Sequence, residues 1–197
     1  MKHLYLVRHG QTLFNEKKRV QGWCDSPLTE EGIAQIQAAG RVLNELGVKP
    51  DYCCSSDFER AWRSLELLAD QPYDKFPELR EMNFGMFEGE PEYLNPPYEE
   101  YETYFFNRGG EKVSQVRERS FRKLTEIMRD PDHNTVLAVG HAGMILSFLE
   151  AIQADTEKIM SQCEMDNGSI FCLDFDPETD QFSSVDLINP AKRHSTE

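Results

Sequence analysis

Several cationic and imidazole side chains follow predicted strands at the points where those strands end. Arg8 and His9 come directly after an apolar, β-prone segment, and Gly10 follows them. Arg60 opens the helix after the next predicted strand, and His141 follows the clearest strand of the chain. Because the carboxyl ends of parallel strands meet at one edge of an open α/β sheet, we expect these side chains to converge there.

The side-chain types at this edge suit phosphoryl transfer. A neutral imidazole at His9 can attack phosphorus and form a phosphohistidine, which splits a difficult hydrolysis into two easier steps. Arg8 presents a planar fork that matches phosphate oxygens, and Gly10 permits close approach of the backbone. Taken alone, Arg60 fits a surface arginine paired with Glu59 slightly better. The convergence of two arginines and two histidines favours a site.

Glu81 is the candidate general acid. A leaving alkoxide needs a proton, and a positioned carboxyl group can supply it. Glu81 is also one of 35 acidic residues and fits an ordinary solvated glutamate, so spacing alone favours a function only weakly.

The hydrophobic pattern predicts the elements that position these groups. The first helix is predicted to begin after its cap Thr29 and to end at Gly47. Further helices are predicted over 57–70, 111–129 and 142–152. Strands are predicted over 3–8, 51–55, 74–79, 135–139, 170–175 and 184–188. Strands that alternate with helices predict an α/β fold, a three-layer α/β/α sandwich with a mainly parallel sheet. We expect one domain over residues 1–197, with a lid insertion at about 85–110 and a frayed tail at 190–197.

Composition restricts the class of function. The net charge of −14 argues against nucleic acid or an anionic membrane surface as partner, since both require a basic face. The most apolar stretch, 135–152, is broken by His141, and no signal-peptide core is found, so we expect a cytoplasmic protein that does not span a membrane. Because no secretion signal is found, we expect the N-glycosylation sequon at Asn167 to stay unglycosylated.

The cysteines are odd in number and lack CxxC spacing, which predicts neither a disulfide framework nor a zinc site. We expect free thiols in a reducing compartment. The vicinal pair fits the core of a buried strand, and Cys24 is a candidate reactive thiol. The five positions are Cys24, Cys53, Cys54, Cys163 and Cys172.

Ordered sequence blocks extend the pattern beyond single residues. They are 6–12 (LVRHGQT), Asn15, Gln21-Gly22, 26–32 (SPLTEEG), 55–61 (SSDFERA), 79–81 (LRE), 84–89 (FGMFEG), 109–111 (GGE) and 139–143 (VGHAG). In this order the blocks resemble the histidine phosphatase superfamily, which includes cofactor-dependent phosphoglycerate mutases, over roughly residues 4–145. An ordered set of blocks is far more specific than any one motif.

The resemblance implies a phosphoglycerate mutase-like fold and a role for each matching residue. His9 would be the phosphorylated nucleophile, and Glu81 would protonate the leaving group and then help to activate water. The charge of the transition state would be stabilised by Arg8, Arg60 and His141. The resemblance implies neither a metal nor another cofactor, because the cations are side chains. The phosphate or substrate pocket would be lined by Thr12, Asn15, Gln21, Gly22 and Ala142.

Five matched residues depart from the family pattern. Ser64 stands where threonine is common, Ala142 where glycine is frequent, Phe87 where tryptophan or tyrosine is usual, and Asp57-Phe58 where Pro-Leu is usual. None of them removes a catalytic group. We expect Asp57 to add negative charge near Arg60 and so to alter anion affinity.

The acidic segment decides between phosphatase and mutase. Phosphoglycerate mutases carry a longer, basic insertion, whereas residues 88–106 contain no lysine or arginine, and Arg108 and Lys112 are the nearest cations along the chain. A doubly anionic substrate would be repelled, which favours a leaving group that is uncharged or apolar. The segment's aromatic residues fit a pocket wall and ordinary packing on the sheet equally well.

The sequence therefore predicts a metal-independent phosphomonoesterase that acts on a small organic phosphate through a phosphohistidine. A cofactor-dependent phosphoglycerate mutase is the first alternative, and a non-catalytic phosphate- or protein-binding module is the second. The intact set of candidate catalytic residues disfavours the module. The substrate and the oligomeric state stay open, a homodimer being one possibility.

Overall fold

The computed structural model describes residues 1–162 and 164–193. Its core is a six-stranded sheet in the order β3-β2-β4-β1-β5-β6. The strands are β1 (Lys2–Arg8), β2 (Tyr52–Ser55), β3 (Asp74–Lys75), β4 (Thr135–Gly140), β5 (Ile170–Asp176) and β6 (Gln181–Ile188). β1, β2, β3 and β4 pair in parallel, and β5 runs antiparallel to both β1 and β6. The predicted mainly parallel α/β sheet is confirmed.

Helices cover both faces of this sheet. They are α1 (Leu13–Glu16), α2 (Glu30–Glu45), α3 (Glu59–Leu68), α4 (Tyr101–Tyr104), α5 (Val113–Arg129), α6 (Ala142–Ala151), α7 (Thr156–Gln162) and α8 (Pro190–Arg193). Leu4 and Leu6 of β1 pack in one buried cluster with residues of α5 and α6, whereas Val7 packs in another with residues of α2 and α3. Alternate side chains of a strand face opposite sides, so β1 joins the two cores.

The ends of α2 follow from local chemistry. The Thr29 hydroxyl accepts a hydrogen bond from the Gly32 N–H at 3.0 Å, which caps the helix as predicted. Gly47, just past the last turn, has a φ of +70°, a conformation that glycine adopts without a Cβ penalty. In the part of the chain that the structure describes, no helix is long and apolar enough to span a membrane.

Some predicted elements differ from the structure. The strand expected at 74–79 is only two residues long, because Pro77 starts a 3₁₀ turn over Pro77–Leu79. α1 and α7 are too short to show a helical period in the sequence. The tail expected to fray begins instead with α8, where the Ala191 N–H donates to Asn189 Oδ1 at 3.1 Å; residues 194–197 lie outside the described residues.

The 85–110 segment consists of 3₁₀ turns and α4. It runs beside residues 18–20, where the Gly89 N–H donates to the Val20 carbonyl and the Glu92 N–H to the Lys18 carbonyl, each at 2.9 Å. Phe105 is fully buried and contacts four other aromatic rings at centroid distances of 4.8–5.6 Å, those of Phe84, Phe87, Tyr101 and Tyr104. Most of these aromatic residues therefore pack against the core, while Tyr93, Tyr98 and Phe106 are exposed.

Candidate active site

His9 lies at the carboxyl end of β1, beside the end of β4. Its backbone N–H donates to the Gly140 carbonyl at 3.1 Å, and its ring Nδ1 is 2.8 Å from the Gly10 carbonyl oxygen. A carbonyl oxygen only accepts hydrogen bonds, so Nδ1 carries the proton and Nε2 keeps its lone pair. Burial and then the charges of Arg60 and Arg8 hold the pKa of His9 well below its usual range. The imidazole is therefore neutral, with Nε2 as a free nucleophile.

His141 has the opposite tautomer. Arg60 Nε donates to its Nδ1 at 3.2 Å, so in the neutral ring the proton is on Nε2. Burial, followed by the charge of Arg60, holds the pKa of His141 well below its usual range. The ring is fully buried, its centroid is 5.1 Å from that of His9, and Nε2 has no hydrogen-bond partner among residues 1–162 and 164–193.

Arg60 is fully buried, and the alternative of a surface arginine paired with Glu59 is wrong. Its guanidinium donates to the Gly22 carbonyl at 2.7 Å, the Cys24 carbonyl at 3.1 Å and Asp25 Oδ1 at 2.9 Å. The loop at 22–25 therefore sets the plane of the guanidinium, whose Nε faces His141. Asp25 lies just before the SPLTEEG block and is not among the predicted site residues.

Arg8 is held at one end only. Its Nη1 donates to the Met165 carbonyl at 2.7 Å, while its buried Nε has no hydrogen-bond partner in the described part of the chain. An unpaired buried donor costs about 1–3 kcal/mol. Arg8 Nε and His141 Nε2 thus present two buried donors that a ligand rich in acceptor oxygens would satisfy.

Glu81 is 7% exposed and lies at the N-terminus of α6. Its Oε1 accepts from the Met82 and Met144 N–H groups at 2.8 and 2.9 Å, and its Oε2 accepts from the Gly143 N–H at 2.9 Å. A Cβ at Gly143 would lie 2.6 Å from Oε1, so any larger residue there would displace the Glu81 carboxyl group. Both carboxyl oxygens of Glu81 are therefore held by backbone N–H groups at the start of α6.

The predicted pocket residues before α2 form a hydrogen-bonded set. The Thr12 hydroxyl lies 2.6 Å from Gln21 Oε1 and 3.1 Å from Asn15 Oδ1, and Gln21 Nε2 donates to Ser26 Oγ at 3.0 Å. Thr12 is fully buried. The Gly22 N–H donates to a carboxylate oxygen of Glu88 at 3.1 Å. The bonds of Thr12, Gln21 and Gly22 thus run to protein groups, and their expected place in a substrate pocket stays a prediction.

Ala142 and Ser64 lie beside the residues described above. Ala142 is the first residue of α6, and an N–H at that position has no acceptor within the helix. Ser64, which departs from the family pattern, accepts from the Gly10 N–H at 3.1 Å and donates to the Arg60 carbonyl at 2.6 Å. It therefore ties the turn after β1 to α3, the element that carries Arg60.

Asp57 is paired with Arg80. Its carboxylate forms two hydrogen bonds to Arg80 at 2.7 and 2.6 Å, so its charge is compensated there, and its expected effect on anion affinity stays a prediction. These hydrogen bonds hold the pKa of Asp57 below its usual range. Arg80 in turn lies against the rings of Trp23 and Phe58, at 4.8 and 5.0 Å from their centroids.

The thiols are free at Cys24, Cys53, Cys54 and Cys172, whereas Cys163 lies outside the described residues. The vicinal pair of β2 is buried, as predicted. Burial, together with a hydrogen bond to Glu88, raises the pKa of Cys24 to about 12, which argues against the expected reactive thiol. A thiol with that pKa is a poor nucleophile at neutral pH.

Comparison with known proteins agrees with this geometry. The sequence profile of the histidine phosphatase superfamily (branch 1) matches residues 4–187. A Yersinia pestis protein named "Probable phosphoglycerate mutase GpmB" is 32% identical over 172 residues, which cover 80% of this chain and 79% of the relative.

Solved structures of this family share the fold. Bacillus stearothermophilus YhfR superimposes with a TM-score of 0.81 at 25% identity, over 96% of this chain and 100% of that one. The mycobacterial glucosyl-3-phosphoglycerate phosphatase in complex with VO3 gives 0.78 at 27% identity, over 96% and 99%. Together with the match over almost the whole sequence, these likenesses show that the chain belongs to branch 1 of the histidine phosphatase superfamily.

Proposed function

We propose that this protein is a metal-independent phosphomonoesterase that works through a phosphohistidine at His9. One observation carries the proposal: His9 Nε2 has a free lone pair, and the nearby His141 and Arg8 each have a buried donor without a partner. A phosphoryl group is an electrophile surrounded by acceptor oxygens, and it would satisfy all three groups at once. The neutral state of both histidines suits this division of roles.

The first step is transfer to the enzyme. His9 Nε2 attacks phosphorus, the N–P bond forms, and the bond from phosphorus to the ester oxygen breaks. Glu81 gives its proton to that oxygen, most directly from Oε2, which accepts only one backbone N–H. Arg8, Arg60 and His141 Nε2–H stabilise the negative charge on the other phosphoryl oxygens.

The second step is hydrolysis. Glu81, now a carboxylate, takes a proton from water, and the oxygen of that water attacks phosphorus. The N–P bond breaks, inorganic phosphate leaves, and His9 regains its lone pair on Nε2. The Gly10 carbonyl keeps the proton on Nδ1 throughout, so the ring returns to its starting tautomer.

The charges near the pocket support hydrolysis of esters without a second anionic group. Residues 88–106 contain no lysine or arginine, and the charge of Arg8 acts on the Glu92 carboxyl of this segment. The cations that follow pack on the segment's own aromatic rings: Arg108 lies 3.8 Å from the Tyr104 centroid and Lys112 lies 4.7 Å from the Phe106 centroid. We infer that they do not grip a carboxylate or a second phosphate.

Phosphoglycerate mutase activity is the second candidate, because the Yersinia relative bears that name. The two activities share the phosphohistidine and differ in its fate. A mutase returns the phosphoryl group to a bound phosphoglycerate, whereas a phosphatase gives it to water. A non-catalytic binding module is a weaker third candidate, since His9, Arg60, Glu81 and His141 are all in place.

A panel assay separates these candidates. Purified protein in EDTA would be tested with phosphomonoesters whose leaving groups are uncharged or anionic, and with 3-phosphoglycerate plus 2,3-bisphosphoglycerate. We expect phosphate release from the esters with uncharged leaving groups, no isomerisation, and loss of release in His9→Ala. Efficient isomerisation would support the mutase, and full activity in His9→Ala would overturn the phosphohistidine mechanism. Activity lost in EDTA and restored by a divalent metal would contradict metal independence.

A further inference from the structure

Asn167 joins two groups of the candidate active site from the loop that precedes β5. Its Nδ2 donates to the His9 carbonyl oxygen at 3.0 Å and to Asn15 Oδ1 at 3.3 Å. A primary amide nitrogen has two protons, so both bonds can exist together. Asn167 has no part in the mechanism proposed above, and in the sequence it stands out only as a sequon.

The contacts of Asn15 identify the carbonyl end of its amide. Its Oδ1 accepts from the Thr12 N–H at 3.2 Å and from Asn167 Nδ2, and it also lies 3.1 Å from the Thr12 hydroxyl. All of these groups are donors, so this end is the carbonyl and the opposite end is the NH₂ group. The Thr12 hydroxyl has one proton, and its shorter contact, 2.6 Å, is to Gln21 Oε1. Asn167 is therefore the side chain whose donors orient Asn15.

The loop that carries Asn167 is fastened to the end of β1. The Gly168 N–H donates to the Arg8 carbonyl and the Arg8 N–H to the Ser169 carbonyl, each at 3.0 Å. Farther back, Asn189 Nδ2 donates to Asp166 Oδ2 at 2.7 Å and to the Glu164 carbonyl at 3.1 Å. Asn167 is thus held in register with Arg8 and His9 by backbone bonds that do not depend on its own side chain.

We propose that Asn167 is a positioning residue for phosphoryl transfer, acting through Asn15. Its amide holds Asn15 so that Asn15 Nδ2 donates to a phosphoryl oxygen, and it fixes the backbone of the His9 nucleophile. The catalytic part of this inference rests on the proposed function. Without Asn167, Asn15 Oδ1 keeps the Thr12 backbone N–H and loses the amide donor, so the Asn15 amide is held less firmly and presents its Nδ2 to the phosphoryl group less often.

A double-mutant cycle tests the coupling. Asn15→Ala, Asn167→Ala and the double variant would be compared with wild type in kcat/KM for p-nitrophenyl phosphate and in affinity for orthovanadate by calorimetry. Because the proposed hydrogen bond from Asn15 ends on a charged phosphoryl oxygen, we expect Asn167→Ala to lower kcat/KM and vanadate affinity by about tenfold or more in the wild-type background. In the Asn15→Ala background we expect Asn167→Ala to cause a further loss of about twofold or less, which would come from the lost bond to the His9 carbonyl. Losses that multiply in full would overturn the proposal.

Two controls keep this result specific. Asn189→Ala loosens the same loop without removing the Asn167 amide, and we expect its effect to be independent of Asn15. If Asn189→Ala showed the same coupling to Asn15, general loosening of the loop would replace the proposed role. Asn167→Ser, which keeps one donor, serves the cycle if the alanine variant does not fold, and its coupling to Asn15 is judged by the same criterion.

Failure of the two proposals can be told apart. Orthovanadate binding requires no turnover, so the cycle measured by calorimetry reports on Asn167 and Asn15 whatever reaction the protein performs. His9→Ala tests the reaction separately. Turnover retained in His9→Ala would remove the proposed mechanism, whereas independent effects of Asn15 and Asn167 on vanadate affinity would remove only the positioning role.

Discussion

The sheet edge at the ends of β1, β2 and β4 and the 85–110 segment are built in different ways. At the sheet edge, His9, Arg60 and His141 are buried, and each makes short bonds to named backbone or side-chain partners. The 85–110 segment consists of short turns, with Tyr93 83% and Met86 79% exposed. Under the proposed function, this contrast assigns the phosphoryl transfer to the buried sheet edge and the choice of leaving group to the exposed segment.

After the loss of the His9 nucleophile, the largest effect should come from removing the proton donor at the sheet edge. We expect Glu81→Gln to lower kcat for an alkyl phosphate by about 10²–10⁴-fold, the usual contribution of general acid catalysis. The loss for p-nitrophenyl phosphate should be far smaller, because p-nitrophenolate leaves without protonation. Steady-state kinetics on both esters would measure this split, with Glu45→Gln, an exposed residue of α2, as the control. Equal losses on the two esters would contradict the acid role.

A second substitution tests the position of the Glu81 carboxyl group without replacing Glu81 itself. Gly143→Ala would place a Cβ 2.6 Å from Glu81 Oε1 and push the carboxylate from its place. We expect a loss of about 10–100-fold on alkyl phosphates, since small displacements of catalytic groups are costly. Gly40→Ala is the matched control, because its Cβ would meet no atom closer than 3.7 Å. Unchanged kinetics in Gly143→Ala would show that the position of Glu81 tolerates displacement.

The two histidines also predict how stability depends on pH. Burial holds both folded-state pKa values below the usual value near 6.5, so in acid the unfolded chain binds protons that the folded chain does not. Their neutral state carries no penalty above that pH, and stability should fall as the pH drops below it. The slope should approach about 1.4 kcal/mol per pH unit for each histidine. Denaturant unfolding between pH 7 and 5.5 would show a shallower slope in His141→Asn than in wild type. Equal slopes would contradict the buried neutral imidazole.

The smallest effect should appear in the 85–110 segment. Desolvation raises the pKa of the Glu92 carboxyl, opposed by the charges of Arg8 and Lys18, so Glu92 belongs to the electrostatic surroundings of the site. We expect Glu92→Gln to raise kcat/KM for esters with a second anionic group by about two- to fivefold, an effect that added salt should weaken. Glu99→Gln removes the same charge from an exposed position of the same segment. Equal gains in both variants would point to net charge alone.

The sequence predicted the sheet edge well because each strand there carries a strong local pattern. The apolar runs before Arg8 and His141 allow only buried strands, and parallel strands bring their carboxyl ends together. The partners of the side chains could not be predicted in this way. Asp25 and Asn167 reach Arg60 and His9 across 35 and 158 residues, and no local period records such contacts.

The 85–110 segment was predicted only as an insertion. Its proline and glutamate residues break both helical and strand periods, so composition gave no orientation for the aromatic rings. The structure shows that Phe105 gathers most of them into the core. The pairing of Asp57 could not be predicted for a similar reason, because its partner Arg80 is 23 residues away and lies on a different loop.

The most direct test of the central claim is to trap the phosphorylated enzyme. Rapid mixing with a phosphomonoester, followed by alkaline quench and mass spectrometry, would locate any added phosphoryl group. We expect one phosphoryl group on the peptide that contains His9. This adduct should be stable in base, lost in acid and absent in His9→Ala. Substrate turnover without such an adduct at any quench time, or an adduct on another residue, would contradict the phosphohistidine mechanism.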